Sequence, residues 1–194
     1  MIETLTKENL LTMLNLKDTF VNPYNFGHDD FFALDALTRF VNPNRRSLEI
    51  GTCKGYGTSI IAKNTQHLTT VDVHPNRTYN INPMQASESP SIDEIGMYAF
   101  GCDNVTQVLT DSSNLDRVLS GRYDFIFIDG SHDLKHVDED TMFAMSHIHP
   151  GGIVCWHDYT NVPDVTNFLN GWGVKMYTGK IFHCGQWCAF TQVD

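Results

Sequence analysis

The stretch SLEIGTCKGYGTS, Ser47 to Ser59, decides how the rest of the chain is read. Leu48 and Ile50 flank an acid, Glu49, and the run ends in a loop holding Gly51, Gly55 and Gly57. GTSIIAK then starts a helix. A strand that hands over to a helix through a glycine loop is how α/β proteins bring a nucleotide to a helix N-terminus. The spacing here is G-x-x-x-G-x-G, more open than the dinucleotide fingerprint G-x-G-x-x-G, and no Lys-Ser/Thr pair marks a P-loop. With Glu49 at its base, such a loop suits a ligand carrying an ammonium or a sulfonium better than a pyrophosphate.

Working outward, a regular alternation follows. LTTVDV and VTQVLT are strands, SNLDRVLS a short helix, and YDFIFID a strongly apolar strand. KHVDEDTMFAMSHI is an amphipathic helix stopped by HPGG, GIVCW the next strand, and VPDVTNFLN a helix with Pro163 in its first turn. Strands alternating with helices predict a mostly parallel, Rossmann-like doubly wound sheet covered on both faces. VKMYTG (174–179) and GQWCAFTQ (185–192) have no helix between them and are expected to close a seven-stranded sheet as an antiparallel hairpin. Before the alternation, TKENLLTMLNL predicts a helix capped by Thr6, and HDDFFALDALTRFV a second helix opened by Asp29 or Asp30. The reading is a single domain over 1–194, with an N-terminal helical cap (1–46) on a Rossmann-like core (47–194). The segment from Pro75 to Asn104 reads either as a lid or as a surface excursion, with IDEIGMYAFG as its one helical stretch.

The bulk composition narrows the function class. The chain has 194 residues and a net charge of -10, with its 13 Lys and Arg scattered. That charge disfavours a nucleic-acid partner and favours a small-molecule substrate. No apolar run approaches membrane-spanning length, so no membrane partner is expected. Five cysteines without framework spacing and an N-terminus without a signal-peptide pattern point to a cytoplasmic protein with reduced thiols. The sequence leaves the oligomeric state open, a homo-oligomer included.

Three acidic sites fall at successive strand ends, along the carboxyl edge where open α/β sheets bind ligands. Glu49 precedes the glycine loop, and Asp72 follows it by about 20 residues, the interval at which an acid meets ribose hydroxyls. Asp111-Ser112 ends VTQVLT. Here LEIGTCKGYGTS, TTVDVHP and LTDSSN resemble the successive motifs of the class I S-adenosylmethionine-dependent methyltransferases. YDFIFIDGSHDLKHVDED followed by HPGGIVCWHDY resembles a small-molecule subgroup of them, family 24-like, in which D-G-x-H and H-D-Y frame the substrate pocket. The resemblance implies S-adenosylmethionine as cofactor: the loop of Gly51, Gly55 and Gly57 around its methionine part with Glu49 beneath, and Asp72 on the ribose diol. It puts Asp111 and Ser112 on the adenine edge and Asp129 at the neighbouring strand end. Thr52, Cys53 and Lys54 fill the loop's variable positions.

Opposite the cofactor, Asp129 and His132 in IDGSH and His157 and Asp158 in WHDY stand at neighbouring strand ends. Methyl transfer needs alignment of donor and acceptor and, for a hydroxyl, removal of a proton. In one mechanism His157 or His132 is the general base, oriented by Asp158 or Asp129. In the other, Asp129, Asp158 and His157 hold a divalent ion such as magnesium or manganese, as the resemblance to sugar and catechol methyltransferases suggests. Those families carry Asp-Asp or Asp-Asn where this chain has His157-Asp158. The expected activity is O-methylation of a small polar molecule, a sugar or secondary metabolite. A catalytically silent nucleotide-binding module and an NAD-dependent oxidoreductase are the competing readings. Among other features, His132 and His136 share i, i+4 spacing, and HCGQWC hints at zinc without completing a four-ligand pattern. His147 and His149 are read as closing a helix, and Trp156 and Trp187 as core.

Overall fold

The computed structural model describes residues 2–41, 45–75, 90–175 and 179–194, with backbone alone over 172–175. The described residues form one eight-stranded sheet of order β1-β7-β8-β6-β5-β2-β3-β4. Its strands are β1 (Glu3–Thr4), β2 (Arg46–Ile50), β3 (His67–Asp72), β4 (Val105–Leu109), β5 (Tyr123–Ile128), β6 (Ile148–Trp156), β7 (Phe182–Cys184) and β8 (Cys188–Gln192). β8 runs antiparallel to both β6 and β7, and the other pairings are parallel. The helices are α1 (Lys7–Leu14), α2 (His28–Phe40), α3 (Tyr56–Ala62), α4 (Leu115–Val118), α5 (Leu134–His147) and α6 (Pro163–Lys175). None of the described helices is long and apolar enough to cross a membrane.

Alternation along the strands sorts side chains onto two cores. In β5, Ile126 and Ile128 join the core beneath α5 and α6, while Phe125 and Phe127 join the one beneath α1, α2 and α3. β6 repeats the pattern, with Val154 and Trp156 on the first face and Ile153 and Cys155 on the second. β2 follows the same alternation but places an acid on the second face. Leu48 and Ile50 face the first core, so Glu49 is driven into the second, under α3.

Several expectations are corrected. The N-terminal region is more than a helical cap: β1 adds an eighth strand parallel to β7, fixed further by Leu5 N–H donating to the His183 carbonyl at 2.8 Å. Thr6 does cap α1, accepting from Asn9 N–H at 3.2 Å. α2 does carry Asp29 and Asp30 in its first turn, its cap is Gly27 in the left-handed region, and Asp30 is buried. The hairpin forms, but from different residues. Val174 and Lys175 end α6, Met176–Thr178 lie outside the described residues, and β7 is Phe182–Cys184. HPGG follows directly on the helix it is expected to stop. α5 ends at His147 and β6 starts at Ile148, absorbing the turn through a register shift opposite Tyr123–Phe125. Of the long connection, residues 76–89 lie outside the described residues, and IDEIGMYAFG forms turns and a single 3-10 turn at Met97–Ala99 instead of a helix.

Phe125 is 1% exposed at the centre of the second core. Phe125→Ala is expected to cost about 3–5 kcal/mol, read as a lowered urea midpoint with an unchanged slope.

Candidate active site

β2 and β5 are neighbours, yet the chain leaves β2 towards β3 on one side and β5 towards β6 on the other. This switch point opens a crevice at the strands' carboxyl ends. Gly51 makes the two ends meet: it holds φ +102°, and a Cβ there would fall on the Asp129 carbonyl. Gly51 N–H donates to Val71 O at 2.8 Å, and Asp129 N–H to Ile50 O at 2.7 Å. Gly55, at φ +88°, is needed for a different contact, since a Cβ there would stand 2.9 Å from Gly96 Cα.

Glu49 does not face the crevice. Thr58 and Thr70 hydroxyls donate to its Oε2 at 2.5 and 2.6 Å, and the Thr52 hydroxyl reaches Thr70 at 2.6 Å. At 1% exposure, burial outweighs these bonds and pushes the carboxyl up to about 8. It ties β2, β3 and the head of α3 together. Asp72 lies at the crevice, where Oδ2 accepts from Cys53 N–H and Oδ1 from Val73 N–H, both at 2.7 Å. Burial raises its pKa against those bonds. Asp111 caps the 3-10 turn Ser112–Asn114, accepting from Ser113 N–H at 2.9 Å. Ser112 in that turn faces Asp140 of α5, a 1% exposed carboxyl that burial pushes up to about 6.

The four groups at the ends of β5 and β6 converge. His132 Nε2 lies 2.8 Å from Asp158 Oδ2 and 3.9 Å from Asp129 Oδ1. His157 Nδ1 lies 3.2 Å from Asp129 Oδ1 and 3.4 Å from Asp158 Oδ2. Asp158 is held at φ +60°, a strained conformation for a residue with a side chain, and Asn161 Nδ2 donates to its other oxygen at 2.7 Å. Hydrogen bonds to Asp129 and Asp158 raise His132 to about 10. Burial opposes a charge on His157, but Asp129, Asp158 and Asp30 outweigh it and hold its pKa well above the usual histidine value. Burial likewise opposes charge on Asp129 and Asp158, and the two imidazoles keep both carboxyls below their ordinary range. The site thus packs two carboxylates against two imidazoles. Asp129, His132 and Asp158 each present one donor atom within 4.8 Å of the others.

The described part of the long connection also belongs here. Gly96 N–H donates to Cys53 O and Tyr98 N–H to Lys54 O, each at 2.9 Å, so residues 90–104 clasp the glycine loop from outside. Tyr98 stacks on Tyr56 at 4.1 Å between ring centroids, and Tyr24 and Phe26 pack edge-on against Tyr56 at 4.8 and 4.9 Å. The N-terminal region and this connection therefore meet in one aromatic cluster beside the loop.

Other features stay apart. His132 and His136 do not form a pair: Asp133 caps α5 between them and bonds His136 Nδ1 at 2.6 Å. Cys184 and Cys188 are buried in the hairpin. His147 ends α5, stacked on Phe143 at 4.0 Å, whereas His149 lies in β6 rather than closing the helix. Trp156 is core, its indole N–H donating to Thr141 at 2.9 Å, and Trp187 packs edge-on to His157 at 6.0 Å. Sequence reasoning missed Asp30, which reaches His157 from α2. Its only signal is an acid in the first turn, and that pattern reads as a cap.

The Glu49 carboxyl generates a stability prediction. Its folded pKa of about 8 lies above the ordinary 4.5, so the folded state keeps a proton that the unfolded chain has lost. Its contribution is therefore fully present below pH 4.5 and disappears as pH rises to 8. Glu49→Gln should flatten the fall in stability across that window, measured by urea unfolding at several pH values.

Comparison with known proteins agrees with this geometry. The model of the family described as a methyltransferase domain, methyltransferase family 24, matches residues 48–159, more than half of the chain. Curated protein sequences give no match. Among solved structures, the O-methyltransferase NovP superposes with a TM-score of 0.70 at 11% identity, over 84% of this chain and 79% of that one. The O-methyltransferase TomG from Streptomyces achromogenes, in complex with SAM, gives 0.61 at 16%, over 97% and 88%. An O-methyltransferase from Bacillus cereus in complex with SAH gives 0.56 at 16%, over 96% and 90%. With the glycine loop, the acid after β3 and the paired motifs D-G-S-H and H-D-Y all at one sheet edge, the chain belongs to the family 24 methyltransferase domains and is a class I S-adenosylmethionine-dependent methyltransferase.

Proposed function

We propose that the enzyme methylates a hydroxyl of a small polar molecule, and that the acceptor sits against Asp129, His132, His157 and Asp158. The convergence of these four side chains beside the glycine loop is the observation that carries the reading. The methionine part of S-adenosylmethionine lies against Gly51, Thr52 and Gly55, with Asp72 on the ribose diol and Asp111-Ser112 at the adenine edge. Glu49 and Gly57 support the loop from behind, where a Cβ at Gly57 would stand 2.8 Å from Glu49 Oε1. Three of the solved neighbours are described as O-methyltransferases, which supports oxygen as the acceptor atom.

The donor set fits a divalent ion held by Asp129 and Asp158 with imidazole nitrogen from His157 or His132. Two carboxylates with imidazoles suit manganese or another first-row ion better than magnesium. When bound, such an ion lowers the pKa of a substrate hydroxyl. The protein's own groups do the rest. Asp129 and Asp158 raise the pKa of both imidazoles, for His157 against its burial, and so favour a proton taken up by either ring. Asp158, fixed by Asn161, sets the height of His132 in the crevice. The free cysteines fit a reducing compartment such as the cytoplasm.

Calorimetry with S-adenosylhomocysteine, with and without manganese or magnesium, tests the cofactor site. Wild type should bind and Asp72→Ala should lose about 1.5–3 kcal/mol, a roughly tenfold to hundredfold weaker Kd. No binding under any condition would contradict the assignment of the crevice. In an acceptor screen, Asp158→Ala should lower kcat at least ~100-fold while leaving S-adenosylhomocysteine affinity nearly unchanged. A turnover-silent wild type that still binds would remove the catalytic part alone.

A further inference from the structure

We propose that Asp30, from the N-terminal helix α2, is a positioning residue for His157, fixing the imidazole so that Nδ1 points at the Asp129–Asp158 pair. The inference rests on the reading of those strand ends as the acceptor or metal side of the site. Asp30 is 5% exposed, and its two oxygens do different work. Oδ1 accepts from Gln186 N–H at 2.9 Å and Trp187 N–H at 2.8 Å, anchoring the carboxyl to the turn between β7 and β8. Gly185 completes that anchor: it holds φ +65°, and a Cβ there would stand 2.7 Å from Asp30 Oδ1. Oδ2 is left facing His157 Nε2 at 3.7 Å, an ion-pair distance.

The opposite edge of the ring explains why this matters. Nδ1 is 3.2 Å from Asp129 and 3.4 Å from Asp158, while Phe127 and Trp187 pack around the imidazole at 6.1 and 6.0 Å. Carboxylates therefore stand at both edges of the ring, Asp30 at Nε2 and the Asp129–Asp158 pair at Nδ1. An outer carboxylate on one ring nitrogen orients a histidine whose other nitrogen faces the site. Without Asp30 the ring loses the partner that holds Nε2 on the side away from Asp129 and Asp158. The Cys188 sulfur lies within 4.8 Å of both groups. Its thiol is pushed well above the usual range by its hydrogen bond with Cys155 and by burial.

Asp30→Asn separates the two functions of the carboxyl. The amide oxygen keeps both backbone bonds, while an N–H₂ group replaces the oxygen facing Nε2. Three readouts are compared in wild type, Asp30→Asn and Asp30→Ala: melting temperature, S-adenosylhomocysteine affinity, and the ring ¹⁵N shifts of His157, assigned by the signal missing in His157→Gln. Asp30→Asn should leave the first two near wild type and move the His157 shifts, whereas Asp30→Ala should also lower the melting temperature. In protein that binds Mn²⁺, electron paramagnetic resonance should show about 10–100-fold weaker affinity in Asp30→Asn. Unchanged His157 shifts in Asp30→Asn would overturn the proposal, as would parallel losses of melting temperature and S-adenosylhomocysteine affinity, which mark a purely structural residue. A wild type that binds no Mn²⁺ would remove the ion from the proposed function, and the ring shifts would still decide the role of Asp30.

Discussion

Close contact between Gly51 and the Asp129 carbonyl is the constraint on which the site depends. Any side chain at position 51 would push β2 and β5 apart at their carboxyl ends. Because they end flush, the glycine loop that follows one strand and the Asp129 carboxylate that follows the other share a single crevice. Parallel register carries the effect outward, pairing Ile50 with Val71 on one side and Ile128 with Trp156 on the other, each one residue before Asp72 and His157. The glycine is required by strand packing, and the ligand site is the consequence.

A second constraint is charge. Asp30, Asp129 and Asp158 surround His157, and His132 adds a second imidazole. Removing so many charges from water is expensive unless each has a partner. The cluster meets that condition by drawing on four separate parts of the chain: α2, the β5 end, the β6 end and the hairpin turn. Strain at Asp158 and the inward turn of Asp30 are local costs accepted to hold this arrangement. Glu49 takes the other solution, a buried carboxyl kept neutral and bonded to two threonines.

Much of this was legible in the sequence because it is local. Strand–loop–helix punctuation around Ser47–Ser59, the apolar FIFID strand and the motifs D-G-S-H and H-D-Y each occupy a few consecutive residues. Those cues place the four converging side chains on neighbouring strand ends. What escaped was long-range. Glu3–Thr4 becomes a strand only because β7 offers an open edge. Asp30 looks like a helix cap until the hairpin's N–H groups reach it from 156 and 157 positions away. Glu49 reads as an acid beneath a ligand, but strand alternation sends it under α3. The 90–104 segment has no regular pattern since its job is to clasp the glycine loop through two backbone hydrogen bonds.

The central claim is that one crevice, built by β2 and β5 ending together, holds the methyl donor along its whole length. Amide hydrogen exchange followed by mass spectrometry, with and without S-adenosylhomocysteine, tests it most directly. Protection should rise together at residues 51–57, 72–73, 111–113 and 129–132, on four separate segments of the chain. Protection confined to one of these segments, or appearing only away from the sheet's carboxyl edge, would contradict the account.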